Sequence, residues 1–111
     1  DVAAGRALFV GETSELRAQV AGHDDDLPLA AARCINCHEG PGAIGPRLNA
    51  PQLLESQARR GGPPSRYDEA TFCRLLRDGV DPAFVQLPRE MPRYQIAPED
   101  CRKLWDYLIH S

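Results

Sequence analysis

Cys34-Ile35-Asn36-Cys37-His38 restricts what this chain can fold into more than any other stretch. Residues i and i+3 share one face of a helical turn, so the two sulfurs can reach the same flat partner. The histidine directly after the second cysteine then carries its imidazole in beneath that partner. Two thiols at this spacing followed by histidine form the attachment signature of a c-type haem. Both sulfurs bond the vinyl groups of the porphyrin, and His38 takes one axial position of the iron. The order is far more specific than a bare pair of cysteines.

Other uses of these residues are weaker. A thioredoxin-like thiol pair belongs at the start of a helix within a strand–helix–strand unit, and no such strands flank the motif. Zinc could draw on Cys34 and Cys37 together with Cys73 and Cys101. Structural zinc sites, however, usually gather their second pair as another short-spaced knuckle, and Cys73 and Cys101 lie far apart. A disulfide within the motif would leave His38 without a task.

The 111 residues are expected to form a single domain, 1–111. Three Phe, three Tyr and one Trp are a thin supply for a self-sufficient core in so small a protein. A buried porphyrin would provide the missing apolar area. The net charge of −3 argues against a nucleic-acid partner, which selects a basic face. No apolar run is long enough to span a bilayer. The chain opens at Asp1 with no basic and apolar leader, so a processed mature form is expected. Cys73 and Cys101 are an even pair outside the motif, which suits an oxidising compartment, and the bacterial periplasm is the expected location.

Along the chain, Gly5, Leu8 and Phe9 fall at helical spacing in residues 2–10. Gly5 is a poor helix former and makes sense where another backbone crosses closely. Gly11 ends that helix. Leu16, Ala18 and Val20 then alternate as in a short strand, and residues 21–26 read as an acidic turn, so a small hairpin or an irregular flap is expected over 11–27. Residues 29–33 have high helix propensity and lead into the motif, and Gly40-Pro41-Gly42 stops the helix after it. Asn49 caps a helix with Pro51 in its first turn and Leu53, Leu54 and Ala58 on one face. Arg59, Arg60 and Arg66 make the densest basic patch, either plain surface or a partner for haem propionates or an acidic protein. Asp68 caps a further helix with Phe72, Leu75 and Leu76 as its stripe and Gly79 at its end. A long, prolyl loop covers 81–97. The last helix starts at Pro98 and repeats Cys101, Leu104, Trp105, Leu108 and Ile109 on one face, which should pack against Gly5 and Phe9.

Iron held by His38 has a second axial position. Met91 is the only methionine, sits before Pro92 in the prolyl loop, and offers a soft thioether suited to haem iron. An ordinary gap-filling methionine is the plainer account, and His23 and His110 are rival ligands in solvent-like contexts. The far N–H of a ligating imidazole needs an acceptor, and the Pro46 carbonyl in the 43–48 loop is well placed to supply it. Two filled axial positions pass single electrons and leave no place for a substrate, whereas an open one would admit peroxide or small gases.

With these pieces together, the chain resembles the class I cytochromes c of the bacterial periplasm. The resemblance rests on Gly5 and Phe9, Cys34-Ile35-Asn36-Cys37-His38, Gly45-Pro46-Arg47-Leu48, Met91-Pro92-Arg93-Tyr94 and Trp105-Asp106-Tyr107-Leu108, and covers most of the chain apart from residues 11–27. It implies an all-α cytochrome c fold of about four to five helices around one haem c, with room for a short hairpin in the 11–27 insertion. It also implies thioether bonds at Cys34 and Cys37, His38 and Met91 as iron ligands, and a Pro46 carbonyl accepting from His38. The function implied is electron transfer rather than catalysis, as a soluble monomeric carrier or the cytochrome subunit of a dehydrogenase. The dehydrogenase would be the donor, and an oxidase or another cytochrome the acceptor. A haem enzyme or small-ligand sensor with a displaceable Met91 is the alternative. Cys73 and Cys101 lie outside the family pattern. Both sit early on predicted helices facing a common core, and a disulfide between them is expected.

Overall fold

Helices from the two ends of the chain form the frame. The computed structural model describes residues 2–12, 17–23, 25–39 and 42–110. Helix α1 (Val2–Val10) buries Gly5, Leu8 and Phe9, and α5 (Pro98–Ile109) buries Cys101, Leu104, Trp105 and Leu108. Pro98 presets the first turn of α5, and Glu99 and Asp100 complement its dipole there. The helices cross at Gly5. A Cβ at that position would run into the Lys103 carbonyl and lie 2.6 Å from Tyr107 Cβ, so only glycine lets the backbones meet. Phe9 closes the crossing with its ring 5.6 Å from that of Tyr107.

The core continues through α4 (Glu69–Asp78), which buries Phe72, Leu75 and Leu76. Its start is a capping box: the Asp68 carboxylate accepts from Thr71 N–H (2.8 Å), and Asp68 N–H donates to Thr71 Oγ1 (2.8 Å). The bond from Thr71 N–H, joined by one from the Thr71 hydroxyl to the same carboxylate (2.8 Å), holds the Asp68 carboxyl below the usual range. Phe72 packs on Trp105 with ring centroids 5.4 Å apart. A Cys73–Cys101 disulfide ties α4 to α5 across 28 residues. Closing a loop of that length stabilises by roughly 3–4 kcal/mol on the chain-entropy account.

The all-α expectation is corrected. Among the described residues, five α-helices stand alongside two small antiparallel sheets, so the content is mixed. Strand β1 (Arg17–Gln19) pairs with β4 (Arg93–Gln95) in the register Arg17↔Gln95, Ala18↔Tyr94, Gln19↔Arg93. Among the described residues the strand partner of the 11–27 segment comes from the prolyl loop, while the segment also turns back on itself, with Leu27 N–H donating to Ala18 O at 2.7 Å. Buried Ala18 leaves room for Tyr94 opposite it, and the Arg17 guanidinium reaches the Gln95 amide oxygen at 3.1 Å, 78 residues away. Leu16 lies outside the described residues, as do Asp24 in the acidic turn and Gly40 and Pro41 after the motif. Asp26 of that turn is taken up at home, paired with Arg17 at 3.0 Å.

The second sheet corrects another expectation. Helix α3 (Ala50–Leu54), capped by the Asn49 side chain on Gln52 N–H (3.0 Å), stops well short of Ala58. Strand β2 (Gln57–Ala58) instead pairs with β3 (Pro64–Ser65). Arg60 (φ 50°) and Gly61 (φ 78°) make the turn between them. The residues before the motif are also less helical than their propensity implies: only a 3₁₀ turn forms at Leu29–Ala31, ahead of the short α2 (Ile35–His38). Among the described residues no helix is long and apolar enough to cross a membrane.

Candidate functional site

Cys34, Cys37 and His38 come from a single turn, with Cys34 in helical conformation just ahead of α2. All three line one chiefly apolar cavity of about 300 Å³, together with Met91. That volume is within the span of small-molecule and cofactor sites, roughly 300–1,000 Å³. Phe9, Leu53, Phe72, Leu75, Leu104 and Leu108 supply walls from both terminal helices and from α3 and α4.

The imidazole is held by the loop that follows it. His38 is buried, and its Nδ1 lies 2.6 Å from the Pro46 carbonyl oxygen. A carbonyl only accepts, so Nδ1 carries the proton and, in the neutral ring, Nε2 keeps the lone pair a metal needs. The loop comes this close because residue 45 has no side chain: a Cβ there would sit 2.8 Å from His38 Cε1 and 2.9 Å from Nδ1. Gly45 N–H also donates to Cys37 O at 2.8 Å, which locks the loop to the motif turn.

The cysteines differ in setting. Cys34 is buried, and burial pushes its thiol up to about 11, with a smaller opposite pull from the Tyr94 hydroxyl. A redox-active thiol has the contrary shift, toward the thiolate that attacks or ligates. Cys34 shows no such activation. The zinc reading loses its second pair, because Cys73 and Cys101 are bonded to one another.

Met91 is half-buried and reaches the cavity from the loop between α4 and β4. The rival histidines do not reach it. His23 is exposed in the turn after β1, and His110 is exposed at the end of α5 with its Nδ1 2.6 Å from the Asp106 carbonyl.

One end of the cavity is polar, and sequence reasoning only half found it. Of the basic patch, Arg59 and Arg60 line the cavity, whereas exposed Arg66 does not. Arg59 is buried with its guanidinium 4.8 Å from the centre of the Tyr67 ring, and it donates to Glu55 O (3.2 Å) and Ser65 O (3.3 Å). Burial pushes the Tyr67 hydroxyl up to about 12, against a smaller pull from the Arg59 charge. Asp81 is almost fully buried here. Its Oδ1 accepts from Ala83 N–H (2.8 Å) and Val85 N–H (2.9 Å), while Oδ2 has no hydrogen-bond partner among the described residues. Tyr67 and Asp81 were missed because each reads locally as turn and cap chemistry. In sequence Tyr94 stands out only as part of a motif, yet its buried hydroxyl donates to Ala32 O at 2.7 Å and braces the segment before Cys34.

No family model, curated protein or solved structure matches the chain. The site therefore rests on its own geometry.

Proposed function

We infer that this chain is a class I c-type cytochrome: a one-electron carrier holding a single haem c, with His38 and Met91 as the axial ligands of its iron. The observation that carries the reading is the convergence of Cys34, Cys37, His38 and Met91 on one apolar cavity. The donor set fits the group. Two cysteines on one turn suit two vinyl carbons, a single unprotonated imidazole nitrogen suits iron, and a thioether is the soft second ligand. When bound, the haem supplies a one-electron couple.

The chain's own residues do the rest. Pro46 and Gly45 fix the ring plane and tautomer of His38, which sets the ligand strength of Nε2. Apolar side chains from α1, α4 and α5 exclude water and lower the local dielectric. Arg59 and Tyr67 offer donors at the polar end, the end suited to the two carboxylates of the group. The Cys73–Cys101 disulfide is the feature that supports an oxidising compartment such as the periplasm. There the carrier would work alone or as the cytochrome subunit of a dehydrogenase, handing electrons to an oxidase or another cytochrome.

Export of the chain in a host with haem-attachment machinery tests the reading. A red protein whose ferric form shows a methionine-to-iron charge-transfer band supports the carrier. High-spin ferric iron that binds cyanide within mixing time contradicts it and favours an enzyme or sensor. A colourless product removes both.

A further inference from the structure

The loop that presents Met91 leaves the end of α4 and returns as β4, and one side chain touches it at several points. Gly79 ends α4 in the left-handed region (φ 73°), with its N–H on Leu75 O at 2.8 Å. The Arg93 guanidinium lies directly over it. A Cβ on Gly79 would be 2.6 Å from Arg93 Nη2 and closer still to Nε and Cζ, so the bare glycine is a seat for the fork. From that seat Nη1 donates to the Met91 carbonyl at 2.5 Å, and Nη2 makes a longer contact to the Leu87 carbonyl at 3.5 Å. Leu87 N–H in turn donates to Gly79 O at 2.8 Å. Helix end, mid-loop and Met91 are thus tied through one planar group.

The charge on that group needs a reason. Arg93 is partly buried, and no carboxylate pairs with it among the described residues. A partly buried cation held against carbonyls costs some solvation. The carbonyl-rich end of α4 offsets part of that cost, and the hydrogen bond to Met91 O is strengthened by the charge. A neutral side chain could pack here without the cost but would hold residue 91 more weakly.

The geometry points to Arg93 as the positioning residue for Met91: it fixes the backbone at residue 91 so that the thioether stays turned into the cavity His38 lines. This rests on the His38/Met91 reading above. Displacement of Met91 is then governed by the fork on Gly79 as much as by the sulfur–iron bond.

Two readouts on the exported protein test it: imidazole association with the ferric form, which requires Met91 to leave, and amide hydrogen exchange at Leu87 and Met91. Arg93→Gln is expected to speed imidazole binding about ten-fold, the weight of one hydrogen bond to a charged group. It should also quicken exchange at Leu87 and Met91 while leaving the α5 amides as in the wild type. Arg93→Lys keeps the charge without the fork and should speed imidazole binding by a smaller factor, about two- to three-fold. If Arg93→Gln does not accumulate, Arg93→Lys decides alone: a measurable rise in both readouts supports the role, and none contradicts it. A lowered unfolding midpoint with unchanged imidazole rate and unchanged exchange at both amides overturns the proposal and leaves Arg93 a merely structural residue. If the wild type carries no haem, the function reading fails, and amide exchange alone decides whether Arg93 holds the loop.

Discussion

The α1–α5 crossing and the rim of the cavity hold their parts by different means. At the crossing two backbones touch over Gly5, and the surroundings are apolar and periodic, so many small contacts add up. At the rim, irregular chain is placed by single polar contacts: Pro46 O on His38, the Asp81 carboxylate on Ala83 and Val85, and the Arg59 fork on Glu55 and Ser65. The first arrangement sets whether the chain folds. The second sets where a ligand atom points, and it can fail while the fold survives.

Substitutions should separate the two. The largest effect is expected at Gly5→Leu, where a side chain meets backbone that cannot retreat, at a cost of about 4 kcal/mol in denaturant unfolding. On the haem reading, whatever folded protein remains should keep His38 and Met91 as axial ligands. Removing the disulfide by Cys73→Ser with Cys101→Ser should cost about 3–4 kcal/mol in the same assay, again without altering the ligand spectrum at room temperature. Gly45→Ala reverses the pattern. Its Cβ pushes on the His38 ring, so stability should fall by only about 1–2 kcal/mol while the visible and ligand-field spectra of the ferric protein change. A Gly45→Ala protein with an unchanged spectrum, or a Gly5→Leu protein with changed ligation, would break the distinction.

A further effect concerns pH. Tyr67 is neutral in the fold with its hydroxyl pushed up to about 12 by burial, against an ordinary value near 10. Its contribution is full below about pH 10 and is lost as pH rises toward 12, because the unfolded chain gives up that proton first. Unfolding followed between these limits should show a steeper loss for the wild type than for Tyr67→Phe. Equal slopes would mean that the Tyr67 hydroxyl is not desolvated in the fold.

The same division explains what could be read from sequence. Helices α4 and α5 announce themselves through caps and period, as with Asp68, Gly79 and Pro98, because these signals are local. The Cys34–His38 turn is legible for the same reason: its chemistry fixes its spacing. The pairing of β1 with β4 was not, since three residues around Ala18 find partners around Tyr94 about two thirds of the chain away, and no local period marks a contact of that range. The polar end of the cavity was hidden in a similar way. Arg59 looks like surface charge until β2 and β3 fold it inward, and Asp81 looks like a loop residue until its carboxylate is seen closing the turn around Phe84.

The claim on which the account depends is that Cys34 and Cys37 are thioether-bonded to one porphyrin. Intact-mass measurement of the protein exported with haem-attachment machinery, after acid–acetone extraction, addresses it directly. The account predicts a mass above the 12.2 kDa polypeptide by that of a single haem, and loss of that increment when both cysteines are replaced by alanine. A wild-type product at the bare polypeptide mass, with both motif thiols free to alkylate, would contradict it.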